Sequence, residues 1–281
     1  MVGGSKTRRR TLLGGRLLLL TAGGVVMVLP FVYMIATSFK PNALVLEIPP
    51  KFLPSHPTTA NYTGAWTSNK FGRYFLNSVM VALATTFLSV WLSSMMAYAF
   101  ARFRFPGRGL LFGCLLIGLM VPTMMLIIPQ FLLAKNLHML DSLPGLVFFY
   151  VGGTLALNTF LLRSFFQDIP RELEEAMVVD GAGPWKRYLR LILPLSRPAL
   201  ATVAIFSFLA SWDEFIWALT VINDPNKRTL PIAIALFQGE HSTSWGLVFA
   251  ASAIAILPVI TIFVAFQRQF VSGLASGALK A

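Results

Sequence analysis

The chain has 281 residues, of which 56% are hydrophobic and only 12% are charged, and its formal net charge is +12. A soluble domain usually carries about a quarter charged residues, so the composition excludes an ordinary soluble protein and favours a polytopic membrane protein. The single cysteine, Cys114, excludes an internal disulfide and belongs to no metal-binding motif.

Six apolar stretches are long enough to cross roughly 30 Å of membrane hydrocarbon as helices. The first follows Arg8, Arg9 and Arg10, but it is longer than the apolar region of a signal peptide and no cleavage site follows it, so we predict a retained span. The sequence therefore predicts an all-α, polytopic membrane protein with six transmembrane helices in one domain, 1–281. The predicted spans are 17–39, 75–100, 110–133, 146–162, 199–222 and 246–266.

The loops between these spans alternate in positive charge. If the N-terminus is cytoplasmic, the cytoplasmic segments hold 16 of the 23 Lys and Arg residues and the outer segments hold 7. Cytoplasmic loops of membrane proteins carry the excess of positive residues, so both termini are predicted to be cytoplasmic. This distribution explains the net charge without a nucleic-acid partner.

Prolines mark two kinds of site along the chain. The segment 40–74, on the predicted outer side, holds five of them and is predicted to be irregular, either as a simple connection or as a docking surface for a partner. Pro122, Pro129 and Pro258 lie within predicted spans, where proline loosens the backbone hydrogen bonding and lets a helix bend.

The segment 163–198, between the fourth and fifth spans, is polar and basic and is predicted to be a structured cytoplasmic loop. Asp168 is predicted to cap a first helix, Gly181 to form a turn, and Pro184 to open a second helix. The second helix is predicted to be amphipathic, so it needs either the membrane interface or a groove on a partner protein to cover its apolar face. That face is predicted to comprise Trp185, Tyr188, Leu189 and Ile192.

These residues resemble a known family. The run Glu175-Ala176-Met177-Val178-Val179-Asp180-Gly181, followed by Leu191-Ile192-Leu193-Pro194, is similar to the EAA loop of bacterial ABC-importer permeases. Met177 and Leu191 depart from the usual residues of that loop, but both stay apolar. The segments 97–102, 212–215 and 267–280 resemble carbohydrate permeases of the maltose-transporter type, although that family more often has asparagine at the position of Asp213.

The resemblance implies a permease subunit of an ATP-driven importer in the bacterial inner membrane, forming half of the pathway for a sugar or sugar-like solute. Oligosaccharides, disaccharides and glycerol phosphate are the implied solute classes. The implied partners are a second homologous permease, an ATPase dimer, an extracytoplasmic solute-binding protein and the membrane lipid. The EAA loop of such permeases docks in a cleft of the ATPase, and the implied ATPase-coupling residues here are Glu174, Glu175, Ala176, Asp180, Gly181 and Ala182.

The chain is predicted not to be an enzyme. It holds no Gly-x-x-x-x-Gly-Lys-Ser/Thr loop that could cradle phosphates, so ATP and Mg are expected on the partner ATPase and no cofactor or metal on this chain. A polytopic membrane enzyme would need a catalytic cluster at one depth, whereas the three histidines are scattered over predicted outer loops.

Asp213 and Glu214 lie inside the predicted fifth span, about 14 Å from its outer end. A carboxylate at that depth costs a few kcal/mol unless it faces a cavity or a partner, so the pair is a candidate for the solute pathway. Two alternatives stay open: a structural carboxylate paired with a neighbouring span, and an ion-coupled secondary transporter that uses Asp213 or Glu214 as its coupling site. The candidate pathway residues are Trp212, Asp213, Glu214, Phe215 and Asn158.

Overall fold

The computed structural model describes residues 4–68, 70–239 and 243–278, and the side chains of 13–68, 70–239 and 243–267. This part of the chain is overwhelmingly helical, which confirms the predicted all-α class. Four of its helices are long and apolar enough to cross a membrane, and the number rises to six if each of two bent helix pairs is one span. The chain divides into two compact units, Met1–Asn69 with Ile234–Ile254 and Lys70–Ala233 with Ala255–Ala281.

The first unit contains α1 (Gly4–Ser38), α2 (Ala60–Thr67) and the beginning of α12 (Trp245–Ala278). Helix α1 contains nearly all of the predicted first span, and its most apolar 18-residue window buries no residue. The sixth predicted span lies within α12. The segment predicted to be irregular is only partly so, because α2 and a 3₁₀ turn at Asn42–Leu44 lie within it.

Asn61 of α2 fastens the end of α1 within this first unit. Its Nδ2 donates to the carbonyl oxygens of Ser38 and Lys40, at 2.8 and 2.7 Å. Asn61 is buried, and both of its amide hydrogens therefore find acceptors that would otherwise lack donors at a helix end.

The second unit is built on α3 (Phe71–Arg102) and α6 (Leu143–Asp168), which contain the spans predicted at 75–100 and 146–162. The other helices of this unit are α4 (Arg108–Ile117), α5 (Ile127–Asn136), α7 (Arg171–Val179), α8 (Pro184–Leu195), α9 (Arg197–Trp212), α10 (Ile216–Val221) and the part of α11 (Leu230–Ala235) up to Ala233, followed by α12 from Ala255 onward.

Helices α3 and α6 run parallel. Ser89 on α3 shares a 2.7 Å hydrogen bond with Thr154 on α6, and further along both helices Arg163 Nε donates to the carbonyl of Phe100 at 3.4 Å. Small residues and hydroxyl pairs let membrane helices approach closely, because the lipid offers no hydrophobic drive for their association. The buried small polar side chains of α3 are Ser78, Thr85, Ser89, Ser93 and Ser94.

The third predicted span, 110–133, is bent by 99°. Helix α4 runs into a 3₁₀ turn that ends at Met120, Val121 is extended, and the chain turns again from Thr123 into α5. Pro122 explains the break, because proline disfavours helical angles in the residue before it and has no N–H for the helix ladder.

The fifth predicted span, 199–222, is wrong as a continuous helix. Helix α9 ends at Trp212, and the short α10 begins only at Ile216. Helix α9 also meets α8 at an 80° bend at Ser196. A continuous helix was predicted because most of the stretch is apolar, whereas the hydrogen bonds that Glu214 accepts from the start of α10 stabilise a break.

The predicted cap at Asp168 is also wrong, because α6 runs through this residue and is longer than the predicted span 146–162. Helix α7 begins at Arg171, directly after Pro170, and has no side-chain cap at that end. The predicted loop 163–198 therefore includes the last turns of α6.

The connection between α10 and α11 is held against two other elements of the second unit. Asn77 Nδ2 of α3 donates to the carbonyls of Asn226 and Arg228, both at 2.9 Å. Asp141 accepts backbone N–H groups of Asn223 and Asp224. The hydrogen bond from Asp224 is the main cause that lowers the pKa of the Asp141 carboxyl below its ordinary value.

Gly145, in the first turn of α6, lies close to the chain that precedes this helix, and its replacement tests that close approach. A Cβ there would lie well inside van der Waals contact of the Met139 carbonyl oxygen, whereas a Cβ at Gly152 of the same helix would meet nothing within 4 Å. We expect Gly145→Ala to lower the free energy of unfolding by about 1–3 kcal/mol. Gly152→Ala should leave it unchanged or raise it by up to about 1 kcal/mol. Thermal unfolding of the purified protein in detergent compares the two, and equal stability would contradict the described start of α6.

Candidate functional site

Helices α7 and α8 form a compact helix–turn–helix, residues 171–195, which we call the α7–α8 knob. Helix α7 ends in a Schellman motif, in which the N–H of Ala182 bonds the carbonyl of Met177 at 2.8 Å and the N–H of Gly181 bonds that of Val178 at 2.9 Å. Gly181 has φ +73°, a left-handed conformation that glycine adopts without a steric penalty. The predicted glycine turn is therefore confirmed.

The apolar residues of α8 do not all face the same surroundings. Tyr188 and Ile192 are fully buried in an apolar cluster with residues of α3 and α6, while Trp185 and Leu189 are exposed. A π-helical stretch spans Tyr188–Ile192 within α8. The prediction of one shared apolar face is therefore only half correct.

The six predicted ATPase-coupling residues fall into two groups. Glu174 and Ala182 are buried, at 6% and 5% exposure. The other four, Glu175, Ala176, Asp180 and Gly181, are exposed on the knob. Next to these four, the knob also exposes the apolar side chains of Leu173, Val178, Val179 and Trp185.

Glu174 points into the protein and makes two ion pairs. Its Oε1 lies 2.6 Å from Nε of Arg102 at the end of α3, and its Oε2 lies 3.5 Å from Nη1 of Arg187 on α8. These three residues line a cavity of about 210 Å³ with Tyr98, Phe103, Arg171 and Glu175.

Glu214 lies at the break between α9 and α10, and its carboxylate links the start of α10 to α6. Its Oε1 accepts the N–H of Trp217 at 2.7 Å, and its Oε2 accepts the N–H of Ala218 at 3.0 Å. The Tyr150 hydroxyl of α6 donates to Oε2 at 2.6 Å. The carboxylate thus satisfies donors in the first turn of α10, where a negative charge is favoured by the helix dipole.

The same carboxylate lines a cavity of about 290 Å³ within the second unit. The cavity combines hydroxyl, amide and carboxylate groups with three aromatic rings. Gln130 and Thr123 come from the bent α4–α5 pair, and the Gln130 amide has no hydrogen-bond partner in the described part of the chain. The other lining residues are Phe149, Tyr150, Gly153, Thr154, Ala210, Ser211, Glu214 and Trp217.

The other four candidate pathway residues are not among the lining residues of this cavity, and they differ in exposure. Trp212 is buried, stacks on Phe208, and donates its Nε1–H to the carbonyl of Ala255 at 3.2 Å. Asn158 is buried and donates to Ser207 Oγ at 2.8 Å, which joins α6 to α9. Asp213 is exposed, and Phe215 is partly buried beside the cluster that includes Trp217.

Comparison with known proteins identifies the family. The model of the family described as "binding-protein-dependent transport system inner membrane component" matches residues 89–276, which include the α7–α8 knob and the helix break at Glu214. The chain belongs to this family.

Two curated relatives of this inner-membrane component match over nearly their whole lengths. The diacetylchitobiose uptake system permease protein NgcG of Streptomyces coelicolor is 35% identical over 98% of this chain and 91% of the relative. The trehalose transport system permease protein SugB of Mycobacterium tuberculosis is 36% identical over 90% of this chain and 92% of the relative. The permease class that the sequence predicts is therefore confirmed.

A solved structure has the same fold as this inner-membrane component. It belongs to a bacterial ABC transporter involved in the import of the acidic polysaccharide alginate, and it superposes with a TM-score of 0.78 at 23% sequence identity. The superposition covers 93% of this chain and 97% of that chain.

The structure adds Arg102, Arg187 and Tyr150 to the two sites of this inner-membrane component. In the sequence, Arg102 stands out only as the last residue of the segment 97–102, although an arginine directly after a predicted apolar span was a usable signal for a buried charge pair. Tyr150 gave no signal in the sequence, because nothing near it in α6 points to Glu214, which lies 64 residues further along the chain.

The turn of the knob can be tested with two neighbouring glycines. Ala substituted at either position would meet nothing within 4 Å, but Gly181 has φ +73° and Gly183 has φ −67°. We expect Gly181→Ala to destabilise the knob by about 1–2 kcal/mol, because a left-handed backbone is strained for alanine. Gly183→Ala should have little effect. Hydrogen exchange of the α7 and α8 amides measures the difference, and equal protection in the two variants would contradict the left-handed turn.

Proposed function

We propose that the chain is a permease subunit of an ATP-driven importer and forms half of the membrane pathway for a carbohydrate solute. The family membership carries this proposal. It is supported by relatives that match over nearly their whole lengths and whose names describe uptake of diacetylchitobiose and transport of trehalose. Its proposed setting is the bacterial inner membrane, with a second homologous permease, an ATPase dimer and an extracytoplasmic solute-binding protein as partners. ATP and Mg would bind on the ATPase partner.

The proposed topology has six spans with both termini in the cytoplasm. Two long spans that run parallel, as α3 and α6 do, need a return crossing between them, and the bent α4–α5 pair is the segment available for it. The excess of Lys and Arg in the α7–α8 region and at the N-terminus supports a cytoplasmic position for both.

The exposed surface of the knob is the proposed ATPase contact. Val179 is 87% exposed and Trp185 is 56% exposed, beside the exposed Glu175 and Asp180. Large apolar groups on a polar loop mark an interaction surface, and an amphipathic helix fits a groove on a partner. A rigid Schellman turn at Gly181 presents these groups in one conformation.

The cavity at Glu214 is the proposed contribution of the chain to the solute pathway. Aromatic rings of Phe149 and Trp217 beside the polar groups of Gln130, Thr154 and Glu214 suit a polyol ring, which has apolar faces and hydroxyl edges. Glu214 itself is occupied by three donors, so it has a structural role in addition to lining the cavity. The alternative of an ion-coupled secondary transporter gains no support from the family.

The first experiment identifies the proteins that co-purify with the tagged chain from native membranes in mild detergent. We expect mass spectrometry to find an ATPase and a second homologous permease. Recovery of the chain alone, with transport after reconstitution in the absence of ATP, would refute the proposal.

The docking surface is tested by placing a charge on it. We expect Val179→Asp to reduce retention of the ATPase in the purified complex and to abolish ATP-driven uptake, because an acidic group in an apolar groove is left without a partner. Leu46→Asp is the matched control, since Leu46 is also an exposed apolar residue but lies in the first unit. Equal ATPase retention in the two variants would exclude Val179 from the interface.

The pathway is tested at the free amide of Gln130. We expect Gln130→Leu to lower the rate of ATP-driven uptake about tenfold while the complex still assembles, because a lost hydrogen bond to solute is worth about 1 kcal/mol or more. Gln167→Leu makes the same change at an exposed position at the other end of α6, away from the cavity. Uptake that is equal in both variants would remove the cavity from the pathway.

A further inference from the structure

The buried ion cluster of Arg102, Glu174 and Arg187, which we call the α3 clamp, joins the knob to α3. The side chains of Arg102 and Glu174 are 6% and 8% exposed, and that of Arg187 is 19% exposed. Arg102 also donates from Nη2 to the carbonyl of Ile169 at 2.7 Å, two residues before α7 begins. One guanidinium therefore holds both α7 and the residue that leads into it.

Two further contacts reinforce the clamp from the same face of α3. The Tyr98 hydroxyl donates to the carbonyl of Pro184 at 3.2 Å, and the hydroxyls of Ser94 and Tyr188 share a hydrogen bond of 2.7 Å. Ser94, Tyr98 and Arg102 are spaced by four residues, so they lie above one another on one side of the helix. The last two turns of α3 thus contact both helices of the knob.

The charges of the clamp make it costly to separate the knob from α3. A buried carboxylate that loses its cation is left uncompensated in a medium of low dielectric constant, which costs far more than the loss of an exposed ion pair. Sliding of α7 along α3 would leave Glu174 and Arg102 in that state. The knob and the inner part of α3 are therefore expected to move as one body.

We infer that Glu174 is a positioning residue that locks the α7–α8 knob to α3, and that it makes no docking contact with the ATPase. The inference rests on the proposed function, because it names the joint through which a movement of the docked knob reaches the membrane helices. The exposed residues of the knob then bind the partner, and the buried clamp transmits the displacement.

The test is a double-mutant cycle on the reconstituted complex in proteoliposomes, with ATP hydrolysed and solute imported measured together. We expect Glu174→Gln and Arg102→Gln each to lower the solute imported per ATP about tenfold while the ATPase stays bound. The double variant should be no worse than either single variant, because both remove the same interaction. Glu172→Gln is the control, since Glu172 is exposed on the same helix and makes no ion pair within the described residues.

Two outcomes would overturn the inference. The first is that Glu174→Gln loses the ATPase from the complex while Arg102→Gln retains it, as a docking residue would. The second is that all variants import solute with the wild-type ratio to ATP hydrolysed.

A second measurement leaves the clamp residues intact and so does not depend on the folding of the variants. Spin labels are attached at Glu172→Cys on α7 and Arg104→Cys just after α3, both exposed, in a Cys114→Ser background. The clamp predicts the same distance between the labels in the nucleotide-free and ATP-bound complexes. A distance that changes between these states would overturn the inference.

Failure of the clamp and failure of the proposed function give different results. If Val179→Asp leaves the ATPase bound, the proposed docking surface is wrong whatever the clamp variants do. If Val179→Asp releases the ATPase but the distance between the labels changes, the docking surface stands and the clamp alone is refuted.

Discussion

The parallel contact between α3 and α6 is the constraint on which most of the second unit depends. Inside hydrocarbon the two helices gain little from hiding apolar surface, so their association relies on close approach and interhelical hydrogen bonds. The Ser89–Thr154 pair sets their register, and the Asn158–Ser207 pair extends it to α9. Because both helices run in the same direction, the intervening chain must turn back, and the proline break at Pro122 lies in that stretch.

The buried carboxylate of Glu174 and the half-buried carboxylate of Glu214 are stabilised by different kinds of partner. Glu174 is compensated by two guanidinium groups, so its negative charge ties three helices together. Glu214 has no cation partner within the described residues and instead accepts two backbone N–H groups and one hydroxyl. In a membrane these N–H groups at the start of α10 would otherwise be unsatisfied, so the carboxylate and the helix break stabilise each other.

In the proposed importer these two sites are linked by continuous structure. Helix α9 begins at the bend after α8 and ends at Trp212, directly before the break at Glu214. Helix α3 is clamped to the knob at Arg102 and holds the α10–α11 connection through Asn77 at its other end. A displacement of the knob would therefore reach the cavity along α9 and the α10–α11 connection along α3. Such transmission needs rigid elements and few joints, and the proposed clamp would remove the joint between the knob and α3.

The sequence by itself determined the membrane class, the long helices and the turn at Gly181. About 20 apolar residues can only form a helix in hydrocarbon, and a left-handed turn favours glycine, so both properties follow from local residue types. Its prediction of an unbroken helix over 199–222 was wrong, because hydropathy does not register a capping carboxylate. Only the tertiary structure decided that Glu174 is buried while Glu175 is exposed, and that Tyr150 reaches Glu214. Those facts depend on partners that are distant in sequence, and two neighbouring glutamates on one helix differ only in what the fold places beside them.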